Sequence, residues 1–515
     1  MNNNNNAPAI LRALIVYAIC VPVAIWVGYL LTSVAELNSR ESLIYAGLFI
    51  LVLCIPLLLR WHHLMLVLSW NLLMVIFFLP GRPNVALPMI ILSLGISMLQ
   101  RTVNSRMHFI RAPQITWPLL VLSAVVIGTA QLTGGIGLHS LGSEVMGGKK
   151  YVALLIGILG YFALTARRIP PQQAGLYIAL FYLGGCTTII GDLVSFIPSA
   201  FSFIFIFFPA NSYAFGGADA NLRLSGLCSA SAAIFSFMLA KYGIRGIFLS
   251  GKSWRPFFFV LFSVLLLYGG FRSIIIQCAI IFTIQFFLEG MHRTTLLPLF
   301  MFIGLALAII IVPLADKLPY TFQRSLAFLP LNISPAVRMD ADSSEDWRLE
   351  IWKAELPKVP SYLILGKGYA LTQSDLNNAT GFRAISAADS GSAVAGDYHS
   401  GPLSVIIPFG IWGVFALLWL MIAGGRAMYD NCRYGDPALR SVNCLLFASF
   451  LANIFCFFFI FGALENETLA IGGIMGLSIA LNGGICRAPA RPVTKTAEPE
   501  KKALRRPRLQ AAFQR

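Results

Sequence analysis

The stretch DYHSGPLSVIIPFGIWGVFALLWLMI, residues 397–422, joins a polar segment to a long apolar run. The polar segment, Leu314–His399, holds ten of the 22 acidic residues of the chain. It ends in a titratable ring, His399, immediately before the apolar run begins. A long polar segment that ends in such a ring at a membrane surface is a candidate active site, and the rest of the chain is interpreted outward from it.

The chain is far too apolar for a soluble protein. It is 57% hydrophobic and only 12% charged, whereas soluble proteins carry about 25% charged residues. The apolar residues fall in uncharged runs of about 16 to 24, the length at which an α-helix crosses a bilayer. Backbone groups in lipid must bond within their own segment. The sequence therefore predicts an all-α fold, a polytopic transmembrane helix bundle of about 12–14 spans with one large periplasmic loop that contains short helices.

Fourteen spans are predicted, at residues 10–32, 43–59, 64–80, 84–100, 115–131, 151–166, 174–195, 225–240, 256–270, 273–288, 295–313, 401–424, 441–462 and 467–484. The stretch 196–208 is too short to count as a span and is predicted to be re-entrant or interfacial. The predicted organisation is transmembrane helices 1–11 in residues 1–313, a periplasmic loop domain in 314–399, transmembrane helices 12–14 in 400–484 and a disordered basic cytoplasmic tail in 485–515.

Basic residues indicate the orientation, because cytoplasmic connections carry an excess of Lys and Arg. With fourteen spans, the connections richest in Lys and Arg share one side with both termini, so both termini are predicted to be cytoplasmic. The tail is predicted to contact anionic membrane lipids. The net charge of +16 reflects this topology. A nucleic-acid partner needs a folded basic face with aromatic residues, and none is predicted.

Cysteine and carboxylate patterns do not indicate a metal or a cofactor. The chain has nine cysteines, and none lies between Leu314 and His399. No metal-ligand spacing appears, so neither a zinc site nor a disulfide framework is predicted. Asp340 and Asp342 have two interpretations. They are a carboxylate pair for a divalent metal, or solvated aspartates in a Pro-rich acidic loop, and we favour the second.

The loop is predicted to contain one helix near its middle. Ser343 is a candidate N-cap with Asp346 three residues later, and Leu349, Trp352 and Leu356 then recur on one face. Prolines 357 and 360 end this helix, and the residues before it are predicted to be loop. The stretch 381–396 is rich in Ala, Ser and Gly, which is typical of a mobile lid.

His399 is the candidate general base. Of six histidines, only His139 and His399 are predicted to face outward, and His139 has no obvious partner. His399 precedes a membrane helix, with Ser400 as a possible cap and Pro402 in the first turn. The positive end of that helix disfavours imidazolium, and a neutral imidazole accepts protons. The alternative is an interfacial ring that anchors the helix.

Three arginines are predicted at the same membrane face. Arg272 interrupts an apolar stretch, where an arginine usually faces a cavity or an anion; the alternative is a side chain that reaches from the helix end into water. Arg223 lies at an outer helix start. Arg348 lies on the loop helix, and its alternative role is an exposed ion pair with Glu345 or a neighbouring residue. Guanidinium groups suit diphosphate oxygens.

The order of these residues resembles the O-antigen ligase and polymerase superfamily. The resemblance rests on Arg223-x-x-Gly226, Arg272-Ser273, Arg348-x-x-x-Trp352, Leu365-Gly366-Lys367-Gly368 and His399 followed by Gly410 and Gly413. It covers roughly residues 220 to 425. The family often has Ser where this chain has Phe271, and Asn where it has Ser400. The Gly366–Gly368 stretch is too short for a nucleotide phosphate loop and predicts a turn.

The resemblance implies a multi-pass protein of the bacterial inner membrane that moves a glycan from undecaprenyl diphosphate to an acceptor such as lipid A-core, as in lipopolysaccharide biosynthesis. It implies catalytic roles for Arg272, Arg348 and His399 and no metal. Arg223, Trp352 and Lys367 are the candidate substrate-binding residues. Packing is the favoured role of Trp352, with sugar stacking as the alternative.

We therefore predict a metal-independent, inverting glycan transferase of the O-antigen ligase type. A polymerase of polysaccharide repeat units uses the same donor chemistry, so the sequence does not separate the two. The rival from another class is a transporter or flippase. It predicts internal repeats and broken helices near the membrane centre, and the two halves of the chain show no convincing repeat.

Overall fold

The computed structural model of the protein describes residues 55–79, 81–104, 108–134, 148–198, 201–210, 213–215, 221–371 and 396–488. Several predictions lie outside these residues: the span at 10–32, most of the span at 43–59, His139, nearly all of the predicted lid and all but the start of the basic tail.

The described chain is almost entirely helical. Eight helical segments are long and apolar enough to cross a membrane: Ala86–Val103, Pro113–Thr133, Gly148–Thr165, Pro171–Asp192, Ser225–Phe248, Leu296–Lys317, Gly401–Tyr434 and Pro437–Phe459. Further apolar helices are Ile55–Ser69, Trp254–Gly269, Arg272–Leu288 and Leu464–Asn482. One short antiparallel hairpin pairs β1, Tyr213–Phe215, with β2, Asn221–Arg223. The predicted all-α polytopic membrane bundle is confirmed.

The predicted span at 64–80 is wrong. The helix Ile55–Ser69 is kinked at Trp61, in the predicted gap between that span and the previous one, and residues 70–79 are not helical. The irregular backbone is bonded elsewhere: Asn84 donates to the carbonyl of Leu72 at 3.0 Å, and the N–H of Val75 donates to the carbonyl of Phe207 at 2.8 Å. Apolar composition alone cannot tell such a segment from a helix.

Small residues allow the helices Gly148–Thr165 and Leu464–Asn482 to pack closely. A Cβ on Gly157 would lie 3.2 Å from the backbone nitrogen of Leu469, and one on Gly476 would lie 2.8 Å from the side chain of Leu164. Because lipid removes the hydrophobic drive between helices, close backbone approach of this kind supplies much of their association.

The helix Gly148–Thr165 defines two ends of the bundle. Near its start, the hydroxyl of Tyr151 accepts the backbone N–H of Tyr369 at 2.8 Å. Near its end, the carbonyl of Leu164 accepts from the imidazole of His63 at 2.9 Å. We call the end that carries residues 315–371 and 396–400 the loop face. His63 therefore lies at the opposite face.

The loop contains a longer helix than predicted. This helix, Pro335–Glu355, is here called the loop helix; the short helix Tyr320–Ser325 precedes it. Its N-cap is Ser334, whose hydroxyl accepts the N–H of Val337 at 3.5 Å, with Pro335 in the first turn. Ser343 lies inside the helix and donates to the carbonyl of Asp340, so its predicted capping role is wrong. A Ser-Pro pair is a strong helix start, and the prediction assigned this proline to loop.

Candidate active site

Three arginines lie together at the tip of one helical hairpin at the loop face: Arg272 begins its second helix, and Arg223 and Arg324 bond its turn. The helices Trp254–Gly269 and Arg272–Leu288 meet at Gly270, which adopts a left-handed backbone conformation with φ of +65°. The carbonyl of Gly269 accepts from Arg223 at 3.1 Å, and that of Gly270 accepts from Arg324 at 2.8 Å. Cations are favourable where a helix ends, because its last carbonyls have no partner within the helix.

Phe271 completes the turn and contacts Arg223. The guanidinium of Arg223 lies 4.4 Å from the centre of the Phe271 ring. Such a cation–π contact stabilises the charge without adding a negative group. Arg223 is only 6% exposed. Burial and the neighbouring charge of Arg324 lower its pKa to about 10, so it is still a cation at neutral pH.

Arg324 is a site residue that the sequence analysis missed. Its guanidinium bonds Asp340, the carbonyl of Gly270 and the hydroxyl of Ser344. Asp340 also accepts from Tyr320 at 2.9 Å. Burial disfavours its ionisation, but the bonds from Arg324 and Tyr320 outweigh burial, and the net effect lowers the pKa of Asp340. Asp340 is therefore ion-paired, and the prediction that it is solvated is wrong.

Arg272, the first residue of its helix, turns toward the loop helix. Its two terminal nitrogens bond the carboxylate of Glu345 and, at 3.2 Å, the carbonyl of Ala341. The predicted alternative for Arg348 was an exposed ion pair with Glu345 or a neighbouring residue, but Glu345 bonds Arg272. Both sides of the Arg272 fork are thus engaged by the loop helix.

Arg348 lies close enough to the other arginines for their charges to affect it. Burial lowers its pKa, and the positive charges of Arg272 and Arg324 lower it further, against the effect of Glu345. Arginine remains protonated in proteins. Among the described residues of this cluster, four guanidinium groups lie near two carboxylates. The guanidinium groups belong to Arg223, Arg272, Arg324 and Arg348, and the carboxylates belong to Asp340 and Glu345. Four positive and two negative charges leave a surplus of positive charge, which suits an anion.

His399 lies beside Arg348 in an aromatic pocket. Its ring centre is 4.8 Å from that of Trp347 and 5.5 Å from that of Phe461, and Arg348 lies over the same Phe461 ring at 6.0 Å. The structure thus brings His399 and Arg348 together, and charge interaction links Arg348 to Arg272. Sequence reasoning missed both aromatic residues. Trp347 adjoins Arg348 on the loop helix, a signal that was available.

His399 has the properties of a base that stays neutral. Burial lowers its pKa from the ordinary 6.5; Asp397 opposes this shift, whereas Arg348 and Lys150 add to it. Nε2 lies 3.9 Å from the Asp397 carboxylate, and the buried Nδ1 has no hydrogen-bond partner among the described residues. The residue also has a φ of +48°, a left-handed backbone conformation that is uncommon for residues other than glycine.

The residues around His399 hold it under the loop helix. Ser400 occupies the N-cap position of the helix Gly401–Tyr434, as predicted, but its side chain makes no capping bond. Trp352 donates from its indole to the carbonyl of Tyr398 at 3.0 Å and packs in the cluster of Tyr398, Leu403 and Ile407. These contacts agree with packing, the favoured role of Trp352. Its stacking on a sugar stays a prediction.

The Gly-Lys-Gly turn is a structural joint. The helix Gly401–Tyr434 breaks at Gly410, whose φ is +60°. The turn docks there: Lys367 donates its N–H to the carbonyl of Ile407 at 2.7 Å, and Gly368 donates to that of Pro408 at 3.0 Å. A Cβ on Gly366 would lie 2.2 Å from the Pro408 oxygen. The predicted turn is present, and a substrate-binding role for the Lys367 side chain stays a prediction.

Residues 257–418 match the protein-family model described as O-Antigen ligase. The match supports the O-antigen ligase superfamily. It spans the Arg272 hairpin, the loop helix and His399, whereas Arg223 lies outside it. The predicted resemblance is confirmed over these residues, and the match supports a lipid-linked glycan transferase of the ligase or polymerase type. No curated protein matches the chain. Within the described ranges, no group of three or more His, Cys, Asp or Glu side chains is arranged to hold a metal ion.

Proposed function

We propose that the protein transfers a glycan from undecaprenyl diphosphate to an acceptor hydroxyl, with inversion at the anomeric carbon, at the periplasmic face of the bacterial inner membrane. One observation carries the proposal: a surplus of arginine charge lies beside a half-buried histidine whose pKa is lowered. In this proposal the loop face is periplasmic and both termini are cytoplasmic.

The arginines act on the leaving group. As the glycosidic bond breaks, negative charge grows on the diphosphate. Arg272 and Arg348 bind its oxygens, and Arg223 and Arg324 add positive charge from behind them. Losing one such preorganised donor typically costs about 10²–10³-fold in turnover. The ion pair between Arg272 and Glu345 is then replaced by one between Arg272 and phosphate.

His399 acts on the acceptor. Its imidazole accepts the proton of the attacking hydroxyl while that oxygen bonds to the anomeric carbon. Diphosphate departs from the opposite side of the sugar ring, which inverts the configuration. General-base catalysis of this kind contributes about 10²–10⁴-fold. The lowered pKa keeps the imidazole ready to accept a proton at neutral pH.

The isoprenoid tail lies against apolar surface next to this site. The helix Leu296–Leu314 touches the bundle through Phe300, whose ring is 5.0 Å from that of Phe248. Beyond this contact it is exposed on nearly every side: Phe302 is 70% and Ile309 66% exposed. This helix leads directly to the loop, so a tail between it and the hairpin would have its diphosphate near Arg272.

The test is transfer by the purified protein in proteoliposomes. The donor is a glycan on undecaprenyl diphosphate; the acceptor is lipid A-core in one arm and a second donor molecule in the other. We expect free undecaprenyl diphosphate and a transferred glycan of inverted anomeric configuration by NMR. Product in the first arm indicates ligation and product in the second indicates polymerisation. No covalent product in either arm, with flux of the lipid-linked glycan across the vesicle, would contradict the proposal and favour a flippase.

A further inference from the structure

Two cysteines meet at the end of the bundle opposite the candidate active site. Cys432 lies in the last turn of the helix Gly401–Tyr434, and Cys444 lies near the start of the helix Arg440–Phe459. Their sulfur atoms are 3.1 Å apart, and both are free thiols. A disulfide bond is about 2.05 Å long, so a closure of about 1 Å would join them.

The turn between the two helices is fixed by its own hydrogen bonds. Asp436 caps it, accepting from the N–H of Ala438 at 2.9 Å through its carboxylate and from the N–H of Leu439 at 2.9 Å through its carbonyl. The two thiols therefore approach each other from segments whose connection is short and held in one conformation.

A buried amide network holds the residues next to both cysteines. Asn443, which precedes Cys444, donates to the backbone carbonyl of Asn431, which precedes Cys432, at 3.1 Å. Asn443 also exchanges hydrogen bonds with Asn482, and Asn431 donates to Ser478 at 3.1 Å. These bonds anchor both helix ends to the helix Leu464–Asn482, so little conformational entropy remains to be lost when the sulfurs join.

We propose that Cys432 and Cys444 form a reversible disulfide that responds to the thiol–disulfide balance at this face. Cys432 is half-buried and Cys444 is buried, so Cys432 is the thiol that a small oxidant reaches first. With glutathione disulfide as the oxidant, the Cys432 thiolate displaces one glutathione and forms a mixed disulfide. The Cys444 thiolate then displaces the second glutathione. The two departing glutathione thiolates take up, through water, the two protons that the cysteines gave up, so two glutathione thiols are released.

The compartment decides the resting state. In the predicted topology this face is cytoplasmic, where thiols are kept reduced. The pair therefore rests as a dithiol, and a shift toward oxidation closes it. Because the disulfide would join two membrane helices at their connecting turn, it stiffens the end of the helix whose other end carries His399.

The test uses the full chain in proteoliposomes, reduced and then treated with diamide. Diamide takes two electrons and two protons from the two thiols. The remaining thiols are alkylated with N-ethylmaleimide, and peptides are mapped by mass spectrometry. We expect a linked peptide that joins residues 432 and 444, reversed by dithiothreitol. It should be abolished in Cys432→Ser and in Cys444→Ser and unchanged in Cys186→Ser, a matched variant of another half-buried cysteine.

A second probe tests the proposal on the wild type, so that it can be disproved even if a serine variant misfolds. Phenylarsine oxide binds two neighbouring thiols together, so treatment of the reduced wild type should protect both cysteines from N-ethylmaleimide and prevent the linkage by diamide. Alkylation of both residues 432 and 444 by N-ethylmaleimide after diamide would overturn the proposal.

Discussion

The indole of Trp352 donates a 3.0 Å hydrogen bond to the carbonyl of Tyr398, the residue before His399. This bond ties the loop helix to the backbone that sets the direction of the imidazole. Trp347 and Arg348 lie on the same helix and contact the pocket of His399. A single helix therefore supplies one wall of the pocket, part of its positive charge and a restraint on its base.

Replacing Trp352 tests this restraint. Trp352→Phe keeps an aromatic ring but removes the donor, so we expect a loss of about 0.5–1.5 kcal/mol in the free energy of unfolding and a lower kcat with little change in KM. Trp352→Ala also removes the packing, which typically costs about 3–5 kcal/mol. Thermal unfolding and transfer assays measure both effects. An alanine variant with unchanged stability and turnover would show that the bond is incidental.

The pH dependence of transfer follows from His399. Burial lowers its pKa from the ordinary value, so kcat/KM should fall on the acid side at a lower pH than it would for a free imidazole, when His399 becomes protonated. Asp397 raises this pKa, so Asp397→Asn should move the acid limb to still lower pH. A limb that moves upward in this variant, or an unchanged limb in His399→Gln, would contradict the base assignment.

Arg272 and Glu345 test the leaving-group site from both sides. Arg272→Lys keeps the charge but loses the planar fork, and we expect turnover to fall by about 10²–10³-fold. Glu345→Gln removes the carboxylate that occupies Arg272, so donor KM should fall while kcat is retained. Steady-state kinetics with varied donor separate these effects. Full activity in Arg272→Lys would remove the argument for two-pronged phosphate binding.

The joint at Gly366 supports the pocket from a distance. Gly366→Ala places a Cβ 2.2 Å from the Pro408 oxygen, at a φ of +74°, so the turn must move. Backbone strain of this kind costs about 1–3 kcal/mol, and transfer should decline with it. The matched control is Gly128→Ala, where a Cβ meets nothing within 4 Å. Equal behaviour of the two variants in unfolding and transfer would be inconsistent with a joint.

Hydropathy predicted the membrane helices well, since lipid imposes the same requirement on every span. The predicted 401–424 and 115–131 correspond to Gly401–Tyr434 and Pro113–Thr133. The hydropathy prediction failed at 64–80. There, hydrogen bonds from Asn84 to Leu72 and from Val75 to Phe207 replace those of a helix. No local pattern in an apolar run reveals such partners.

The candidate site was predictable where charge interrupts apolar sequence. Arg272 interrupts an apolar stretch and His399 borders one, whereas Arg348 stood out through its place on the predicted loop helix; the structure brings all three to one face. Arg324 did not stand out, because a lone arginine in a polar loop carries no signal. Its importance comes from contacts with Gly270 and Asp340, which are distant in sequence.

Direct binding of undecaprenyl diphosphate to the purified protein is the sharpest single measurement. Arg272→Gln, Arg324→Gln and Arg348→Gln should each weaken binding and reduce its dependence on salt, because each removes one cation from the cluster. Arg338 is an exposed arginine on the loop helix and serves as the control. The Arg338→Gln variant should bind undecaprenyl diphosphate as the wild type does. Undiminished binding in all three cluster variants, with their fold intact, would contradict a diphosphate site built by these arginines.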